Sequence, residues 1–277
     1  MKKSDLIIDG MFLSEHLKGV SLSSFRPESP SYERQTTFTH SLVDGTMTYR
    51  KGNKGRLNDK KITATFTIIA SNSQQFDMKR DEIYDYLSRP DPYYVIYSPQ
   101  PLKRWLVTCD DSYSVFRENG KKWKEFDVTL TAIQGAAESV YDSTASMNLA
   151  DNMFHLGMNI GRDSNPVYHF KNRSTFTVEN IGNVTIDPYR HNYNVEMYLE
   201  GKDITITNLT NNDTVTLVGT QSKSNKLSLF SHHIVNGTKV IETRNGRFPT
   251  LEKGQNKFKI TGATYSDIKF ITHFYYK

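Results

Sequence analysis

A length of 277 residues exceeds the usual size of one domain, and a 36% hydrophobic content rich in tyrosine and phenylalanine favours a β-rich protein over an α/β enzyme. The single cysteine, Cys109, excludes an internal disulfide and a zinc site built from cysteines, and is typical of synthesis in a reducing cytoplasm. The net charge of +5 divides into +1 for residues 1–145 and +4 for residues 146–277, so neither half has the concentrated positive charge of a dedicated DNA-binding domain.

The first half of the chain is predicted to be a sheet with one helix. Its opening residues lack the apolar run of a signal peptide, and no later segment is apolar over the length of a membrane span, so we expect a soluble protein. Residues 61–70 alternate apolar and threonine side chains, which is typical of a half-buried antiparallel strand. Further strands are predicted at residues 93–97, 105–109 and 123–132.

The helix is predicted between the first two of these strands. Asn72 or Ser73 is suited to cap its N-terminus, and Pro90 is suited to end it. Its apolar residues fall on one face, which indicates packing against the sheet. We assign that face and both tryptophans to the hydrophobic core: Phe76, Ile83, Leu87, Trp105 and Trp123.

The second half is predicted to be an all-β sandwich. Small and polar residues at 135–152 indicate a linker, and we place the domain boundary near Ala145. Asn236-Gly237 is the strongest hairpin signal, because a two-residue type I′ turn requires positive φ at both positions. Short strands are predicted at residues 176–179, 195–199, 203–208, 214–218, 226–230, 239–242, 257–261 and 267–274.

A search for catalytic and metal-binding motifs favours a protein that is not an enzyme. The nucleophile-elbow, zinc-protease, P-loop and dinucleotide-binding patterns are all missing from the sequence. The adjacent carboxylates Asp110 and Asp111 are interpreted as turn residues. His232 and His233 would point to opposite faces if both lay on a strand, so they could not share one ion. We therefore predict no catalytic residues, no metal site and no cofactor.

A basic segment lies just before the first predicted strand. It could contact a second subunit, cradle phosphate or bind nucleic acid, or form a solvated loop. Interleaved aromatic residues for base stacking are missing, which disfavours nucleic acid. The candidate subunit-contact residues are Arg50, Lys51, Lys54, Arg56, Lys60 and Lys61.

Carbohydrate binding by the second half is the alternative function. A sugar-binding face usually presents exposed aromatic rings, and both tryptophans lie in the first half. Tyr189, Tyr193 and Tyr198 could take their place, although tyrosines at such positions are more often packed in the core. A module of this kind would contact the host cell surface.

Several segments, in order along nearly the whole chain, resemble the bacteriophage distal tail protein family of siphophages that infect Gram-positive bacteria. They are DLIIDG at residues 5–10, RPDPYYVIYSPQPLKRWLVTC at 89–109, WKEFDVTLTA at 123–132, FTVENIGNVTIDPYRHNYNVEMYLEG at 176–201 and NGRFPTLEKGQNKFKITG at 245–262. In the last segment proline breaks the ladder of strand pairing, leucine anchors a loop, and glycine permits a tight turn. The residues that match the family's motif there are Gly246, Phe248, Pro249, Leu251, Gly254 and Asn256.

The resemblance implies a fold and a set of partners. Residues 1–145 would form a belt-type β domain that assembles into a hexameric ring, and residues 146–277 would form a galectin-like β-sandwich. The ring would be the baseplate hub at the virion tail tip, made in the host bacterial cytoplasm. Its implied partners are further copies of itself, the major tail tube protein, the tape-measure protein, the tail-associated hub or lysin protein and, in some members, receptor-binding proteins.

Overall fold

The protein divides into two compact units, Met1–Ala137 with Lys277 and Glu138–Tyr276. The computed structural model describes residues 4–33, 37–38, 41–42, 44, 47–48, 55–161, 165–244 and 247–277. Strands dominate both units, so the prediction of a mainly β chain is confirmed. No helix in the described ranges combines the length and the apolar character that crossing a membrane would need.

The division falls before the boundary expected near Ala145, and hydrogen bonds explain why. Ser139 N donates to Phe274 O at 2.8 Å, and Ser143 N donates to Thr272 O at 2.9 Å. The small and polar residues here are thus tied to the end of the chain within the second unit. A segment of low β propensity was interpreted as a linker, although tertiary hydrogen bonds hold part of it.

The first unit is an antiparallel sheet with a helix packed on it. In the described residues its strands follow the order β2-β1-β9-β10-β11-β8-β3. Its elements are β1 (Leu6–Ile8), β2 (Met11–Phe12), α1 (Leu13–His16), β3 (Val20–Pro27), β4 (Tyr32–Glu33), β5 (Thr37–Phe38), β6 (Met47–Thr48), β7 (Arg56–Leu57), β8 (Lys60–Ile69), α2 (Ser73–Leu87), β9 (Tyr93–Tyr97), β10 (Lys103–Thr108) and β11 (Trp123–Ala132).

The long helix α2 forms as its sequence predicts. The Asn72 side chain accepts a hydrogen bond from Gln75 N at 2.8 Å, which satisfies one of the free amides of the first turn. Phe76, Ile83 and Leu87 are buried against the sheet, which confirms the predicted core face. The helix is therefore fixed at its start by a cap and along its length by packing.

The assignment of Trp123 to the core is wrong. Trp105 is buried, but Trp123 is 50% exposed. The inward residues of β11 begin at Phe126 and continue at every second position, so Trp123 has the opposite parity and faces away from the core. Aromatic size was weighted above strand alternation in that prediction.

The second unit contains longer strands than the sequence predicts. The pairs of strands expected at residues 195–199 with 203–208, and at 257–261 with 267–274, are each one continuous strand. Its elements are β12 (Ala137–Ser139), β13 (His169–Lys171), β14 (Thr175–Asn180), β15 (Tyr193–Asn208), β16 (Asp213–Gln221), β17 (Leu227–Phe230), β18 (His233–Asn236), β19 (Lys239–Val240), β20 (Thr243–Arg244), β21 (Gly254–Thr272) and β22 (Tyr275–Tyr276), with 3-10 turns at Leu149–Asp151 and Leu156–Met158.

Bulges explain why the two long strands bend without ending. β15 and β21 pair with each other along most of their length, and the register shifts around Gly201. Gly201 and Gly262 both have positive φ, and a Cβ on Gly201 would lie 2.1 Å from Gly262 O. Glycine is therefore required where the two backbones approach, and the same residues that signal a turn in sequence here bend a strand pair.

The bend brings the two halves of each long strand face to face as a sandwich. One half of β21 pairs with β14 and the other with β13. Phe258 and Phe270 lie on the two halves of β21, and their ring centroids are 5.3 Å apart. Phe176 of β14 contacts both rings. These aromatic contacts form the centre of the second unit's core.

The predicted hairpin at Asn236-Gly237 forms with a different register. Asn236 pairs with Lys239, so the two turn residues are Gly237 and Thr238. Positive φ occurs at Gly237 and not at Asn236 or Thr238. One positive φ at the first turn position is the pattern of a type II′ turn, which matches strand twist as well as type I′ does.

Candidate functional site

A hairpin arm extends from the edge of the first unit's sheet; we define it by the described residues 28–33 and 55–59, with the strand pair β5 and β6. Pro27 pairs with Ile62 at the end of the sheet, and Tyr32 pairs with Leu57 farther out in the same antiparallel register. β5 and β6 form a further antiparallel pair beyond them. The arm thus prolongs β3, the last strand in the sheet order of the described residues, where unpaired backbone groups are available to another chain.

Of the outer basic residues of the predicted cluster, Arg56 is the one that lies among the described residues, on β7 of this arm. Arg50, Lys51 and Lys54 lie outside the described residues. Arg56 is exposed, and its Nε lies 3.8 Å from Glu33 Oε2 across the strand pair. An exposed pair of this kind contributes little to stability and leaves the guanidinium accessible.

Lys60 and Lys61 belong to the sheet itself and not to an exposed arm. Lys60 is buried with its ammonium group 5.1 Å from the centre of the Trp105 ring, and burial lowers its pKa. Lys61 Nζ lies 3.0 Å from both Asp111 Oδ2 and Thr131 Oγ1. Both lysines therefore have structural contacts within their own unit.

The family-motif loop, defined as residues 247–256, is packed into the second unit. Phe248 and Leu251 are fully buried. The backbone N of Leu251 donates to Ile186 O and the backbone N of Ile186 donates to Leu251 O, each at 2.9 Å. Gly246 lies outside the described residues. The anchoring role predicted for leucine is a backbone bridge together with side-chain burial.

Pro249 and Gly254 shape the path of this loop. Pro249 lies in the irregular segment before β21, and its carbonyl accepts a hydrogen bond from the Tyr193 hydroxyl at 3.3 Å. Gly254 has a φ of +83° at the first residue of β21. A residue with a Cβ would be strained in that conformation, so glycine allows the tight entry into the strand.

Asn256 is buried and holds the loop with all its hydrogen-bonding groups. Its Oδ1 accepts from Asn208 Nδ2 at 3.0 Å and from Glu252 N at 2.8 Å. Its Nδ2 donates to Glu252 O at 2.7 Å and to Gly254 O at 2.9 Å. The side-chain amide therefore makes the hydrogen bonds that water would make to this turn if the turn were exposed.

Two further buried asparagines were missed in the sequence. Asn208 Nδ2 donates to Thr250 O at 2.8 Å, and Asn180 Nδ2 donates to Leu251 O at 3.1 Å and Val184 O at 2.9 Å. Each asparagine ends its strand at the inward-facing position, two residues after a buried apolar side chain. A polar residue that continues an apolar alternation is the signal that predicts such a role.

The paired histidines do not point apart as expected. His232 lies in the turn before β18 and His233 is the first residue of that strand, and their ring centroids are 3.9 Å apart. The strand argument failed because only one of them is on the strand. Within the described ranges, no group of three histidine, cysteine or acidic residues is placed to hold a metal ion.

The tyrosines considered for sugar binding separate by exposure. Tyr193 is buried in the core, whereas Tyr189 is 53% exposed and Tyr198 is 37% exposed. The Tyr189 ring stacks on His232 with centroids 4.6 Å apart and an interplanar angle of 11°. Phe230 nearby in the chain is 73% exposed. The Tyr193 ring is therefore not accessible to a sugar.

A family comparison locates a known domain in the first unit. Residues 19–132 match the phage tail protein RIFT-related domain. The match begins just before β3 and ends at the last residue of β11, so it includes the hairpin arm and α2. No curated protein matches the chain in sequence.

Two solved structures resemble the chain. The Dit protein of phage SPP1, described as a paradigm of the hub adsorption apparatus in phages that infect Gram-positive bacteria, has a TM-score of 0.61 and 12% identity, covering 99% of this chain and all of that one. A chain of the phage p2 baseplate in its activated conformation has a TM-score of 0.41 and 9% identity, covering 97% of each chain.

The domain match and the SPP1 likeness agree with the order of segments found in the sequence. The domain match covers the first unit from β3 to β11, including α2. The SPP1 likeness extends over both units and shows a shared fold. The predicted resemblance is therefore confirmed: the chain carries a phage tail protein RIFT-related domain at residues 19–132 and has, over nearly its whole length, the fold of the Dit protein of phage SPP1.

Proposed function

We propose that this chain is a structural component of a siphophage tail tip, where six copies form a ring that acts as a baseplate hub. The observation that carries the proposal is the phage tail domain at residues 19–132 within a chain that has the fold of SPP1 Dit. SPP1 Dit is described as a paradigm of the hub adsorption apparatus, which supports the same role here. The protein would then function through the shape of the ring that its copies form.

The hairpin arm supports ring formation. It continues the edge strand β3 beyond the sheet, and an edge strand needs either a cover or a partner to prevent indiscriminate pairing. A ring repeats one heterologous contact around a closed axis, so each copy can offer its arm to the next. In this proposal Arg50, Lys51, Lys54 and Arg56 contact the neighbouring copy, while Lys60 and Lys61 fix the arm's base.

The remaining partners follow from a place between the tail tube and the tip. We propose contacts with the major tail tube protein, the tape-measure protein and the tail-associated hub protein, and with receptor-binding proteins at the outer surface. Residues 1–145 would supply the belt that forms the ring, and the galectin-like residues 146–277 would supply surface for tip proteins. Such a hub belongs to the virion.

A structural hub needs no catalytic activity. Three deeply buried polar side chains of the second unit, Asn180, Asn208 and Asn256, hold backbone carbonyls in place. Groups committed to structure in this way stabilise a rigid shape, which is what a connector between other proteins requires. We therefore propose a structural protein and not an enzyme.

Light scattering combined with negative-stain microscopy tests the proposal. Purified protein at high concentration is expected to form rings of six copies with an open centre, or stacks of such rings. Added tail tube protein should shift the equilibrium toward the ring if closure occurs on the growing tail. A protein that stays monomeric under both conditions contradicts the ring.

Carbohydrate binding by the second unit is the competing function. The exposed stack of Tyr189 on His232 favours it, because sugar rings pack on such faces. A glycan array at high micromolar protein concentration tests it directly. Glycan binding that disappears in Tyr189→Ser would support a host-contact module. An array without hits would rule out carbohydrate binding and leave the hub as the single remaining proposal.

A further inference from the structure

An exposed aromatic patch lies where β8 ends and β11 begins. Trp123 and Ile69 pair across the two strands and are 50% and 56% exposed. Phe116, in the loop before β11, is 62% exposed. Trp123 was expected in the core but is exposed. An exposed apolar patch of this kind marks a surface that binds another molecule.

Basic side chains lie over the aromatic rings of this patch. We call residues 116–126 the basic patch. Lys121 Nζ lies 5.5 Å from the Trp123 ring centre, and Lys124 Nζ lies 4.8 Å from the Phe116 ring centre. Both lysines also pair with Glu118, which keeps the pKa of its carboxyl well below the usual value. The segment has four basic and two acidic residues, a net formal charge of +2.

The outer face of α2 has the complementary composition. Met78 is 64% exposed, and Asp81, Glu82 and Asp85 are exposed as well. Their spacing places them on one stripe of the helix, away from the buried face. The helix Ser73–Leu87 has four acidic and two basic residues, a net formal charge of −2. We call Met78, Asp81, Glu82 and Asp85 the acidic stripe.

We propose that the basic patch of one copy binds the acidic stripe of α2 on a second copy. This inference rests on the proposed function, because it names the surfaces that a ring of identical copies would use. Each copy carries one patch and one stripe of opposite charge, so the same contact can repeat around a closed ring. Trp123 supplies the rigid aromatic anchor and Met78 an adaptable apolar partner.

Charge complementarity gives the contact its direction. A patch meeting another patch, or a stripe meeting another stripe, would bring like charges together at a cost. A patch meeting a stripe joins +2 to −2 and covers the apolar side chains on both surfaces. The charges therefore disfavour patch-to-patch and stripe-to-stripe contacts, and in a ring the patch-to-stripe contact repeats head to tail from copy to copy.

Charge reversal tests the proposal in the full-length protein. The patch variant carries Lys121→Glu with Lys124→Glu, and the stripe variant carries Glu82→Lys with Asp85→Lys. Each alone should weaken self-association at least about tenfold, measured by analytical ultracentrifugation. Trp123→Ser should have a comparable effect without a change of charge. Lys257→Glu with Lys259→Glu, exposed lysines of the second unit, is the matched control and should leave association unchanged.

Mixing the two reversed proteins gives the sharper result. The patch variant has two acidic surfaces and the stripe variant two basic ones, so an equimolar mixture should form rings in which the copies alternate. A chain with both reversals should also assemble with itself. Circular dichroism checks that every variant is folded.

The outcomes separate this inference from the hub proposal. Rings that persist in both charge-reversed variants overturn the contact while leaving the hub intact. A mixture that fails to recover association also overturns it. Wild-type protein that forms no rings, alone or with tube protein, counts against the hub and this contact together.

Discussion

Asn208 donates a hydrogen bond from its Nδ2 to Asn256 Oδ1 at 3.0 Å, and both side chains are completely buried. The pair joins the end of β15 to the third residue of β21, and through Asn256 it reaches the loop that precedes that strand. Buried amides are costly unless every group is bonded. The family-motif loop therefore depends on a polar centre within an otherwise aromatic sandwich.

Replacing Asn256 by alanine should destabilise the second unit by about 3 kcal/mol, because Asn208 Nδ2 and the Glu252 backbone groups would lose their partner without access to water. Urea unfolding of the full chain, followed by tryptophan and tyrosine fluorescence, measures the change. Asn225→Ala on the exposed surface is the control and should change stability by less than about 0.5 kcal/mol. Equal effects of the two substitutions would contradict a structural role for the amide.

Much of the fold was predictable from strand alternation. The strands at Tyr93–Tyr97 and Trp123–Ala132 have the predicted bounds, and α2 begins after a predicted cap residue. These elements are short or strongly patterned, so local preferences agree with the final structure. The bends in β15 and β21 were not predictable, because glycine signals both a turn and a bulge and only the partner strand decides between them.

The candidate surfaces were less predictable than the strands. Basic residues at 50–61 were grouped by proximity in sequence, yet Lys60 is buried on β8 while Arg56 is exposed on the arm. Exposure depends on the strand face, which changes with every residue. The acidic stripe on α2 was not predicted, because apolar periodicity identifies the buried face of a helix and says nothing of what contacts the opposite face.

A second prediction concerns pH. Burial lowers the pKa of His191 to about 4, and its Nδ1 accepts a hydrogen bond from Asp187 N at 3.0 Å, which requires the neutral ring. The unfolded chain binds this proton with a pKa near 6.5 and the folded chain does not, so folding stability falls as pH falls through the window from 6.5 to 4.

The free energy of unfolding should therefore drop by about 2 kcal/mol between pH 7 and pH 5 on account of His191. His191→Gln should flatten the pH dependence in this window, whatever its effect on stability at pH 7. Urea unfolding at four pH values between 5 and 7 gives both slopes. Parallel slopes in the two proteins would assign the pH effect to other groups.

A pair of glycines separates backbone crowding from backbone conformation. A Cβ on Gly182 would lie 2.7 Å from Tyr275 O and 2.8 Å from Tyr275 N, whereas a Cβ on Gly254 would meet no atom within 4 Å. Gly182→Ala must displace the backbone near the chain end and should cost more than about 2 kcal/mol. Gly254→Ala should cost about 1 kcal/mol through its positive φ alone. Thermal unfolding ranks the two, and the reverse order would contradict the packing at Gly182.

The hairpin arm offers the last prediction. Replacing Arg50, Lys51, Lys54 and Arg56 by serine tests the predicted contact residues. For Arg56, the substitution should change the unfolding free energy by less than about 0.5 kcal/mol, because its pair with Glu33 is exposed. If these residues contact a neighbouring copy, self-association should weaken several-fold at low salt, and light scattering at two salt concentrations measures this. Replacing Lys223 and Lys253, exposed lysines of the second unit, by serine is the control.

A DNA-retention assay on the same variants tests the nucleic-acid alternative. Steep, salt-dependent retention that the arm substitutions abolish would favour nucleic-acid binding. Loss of self-association with unchanged retention assigns the arm to contacts between copies.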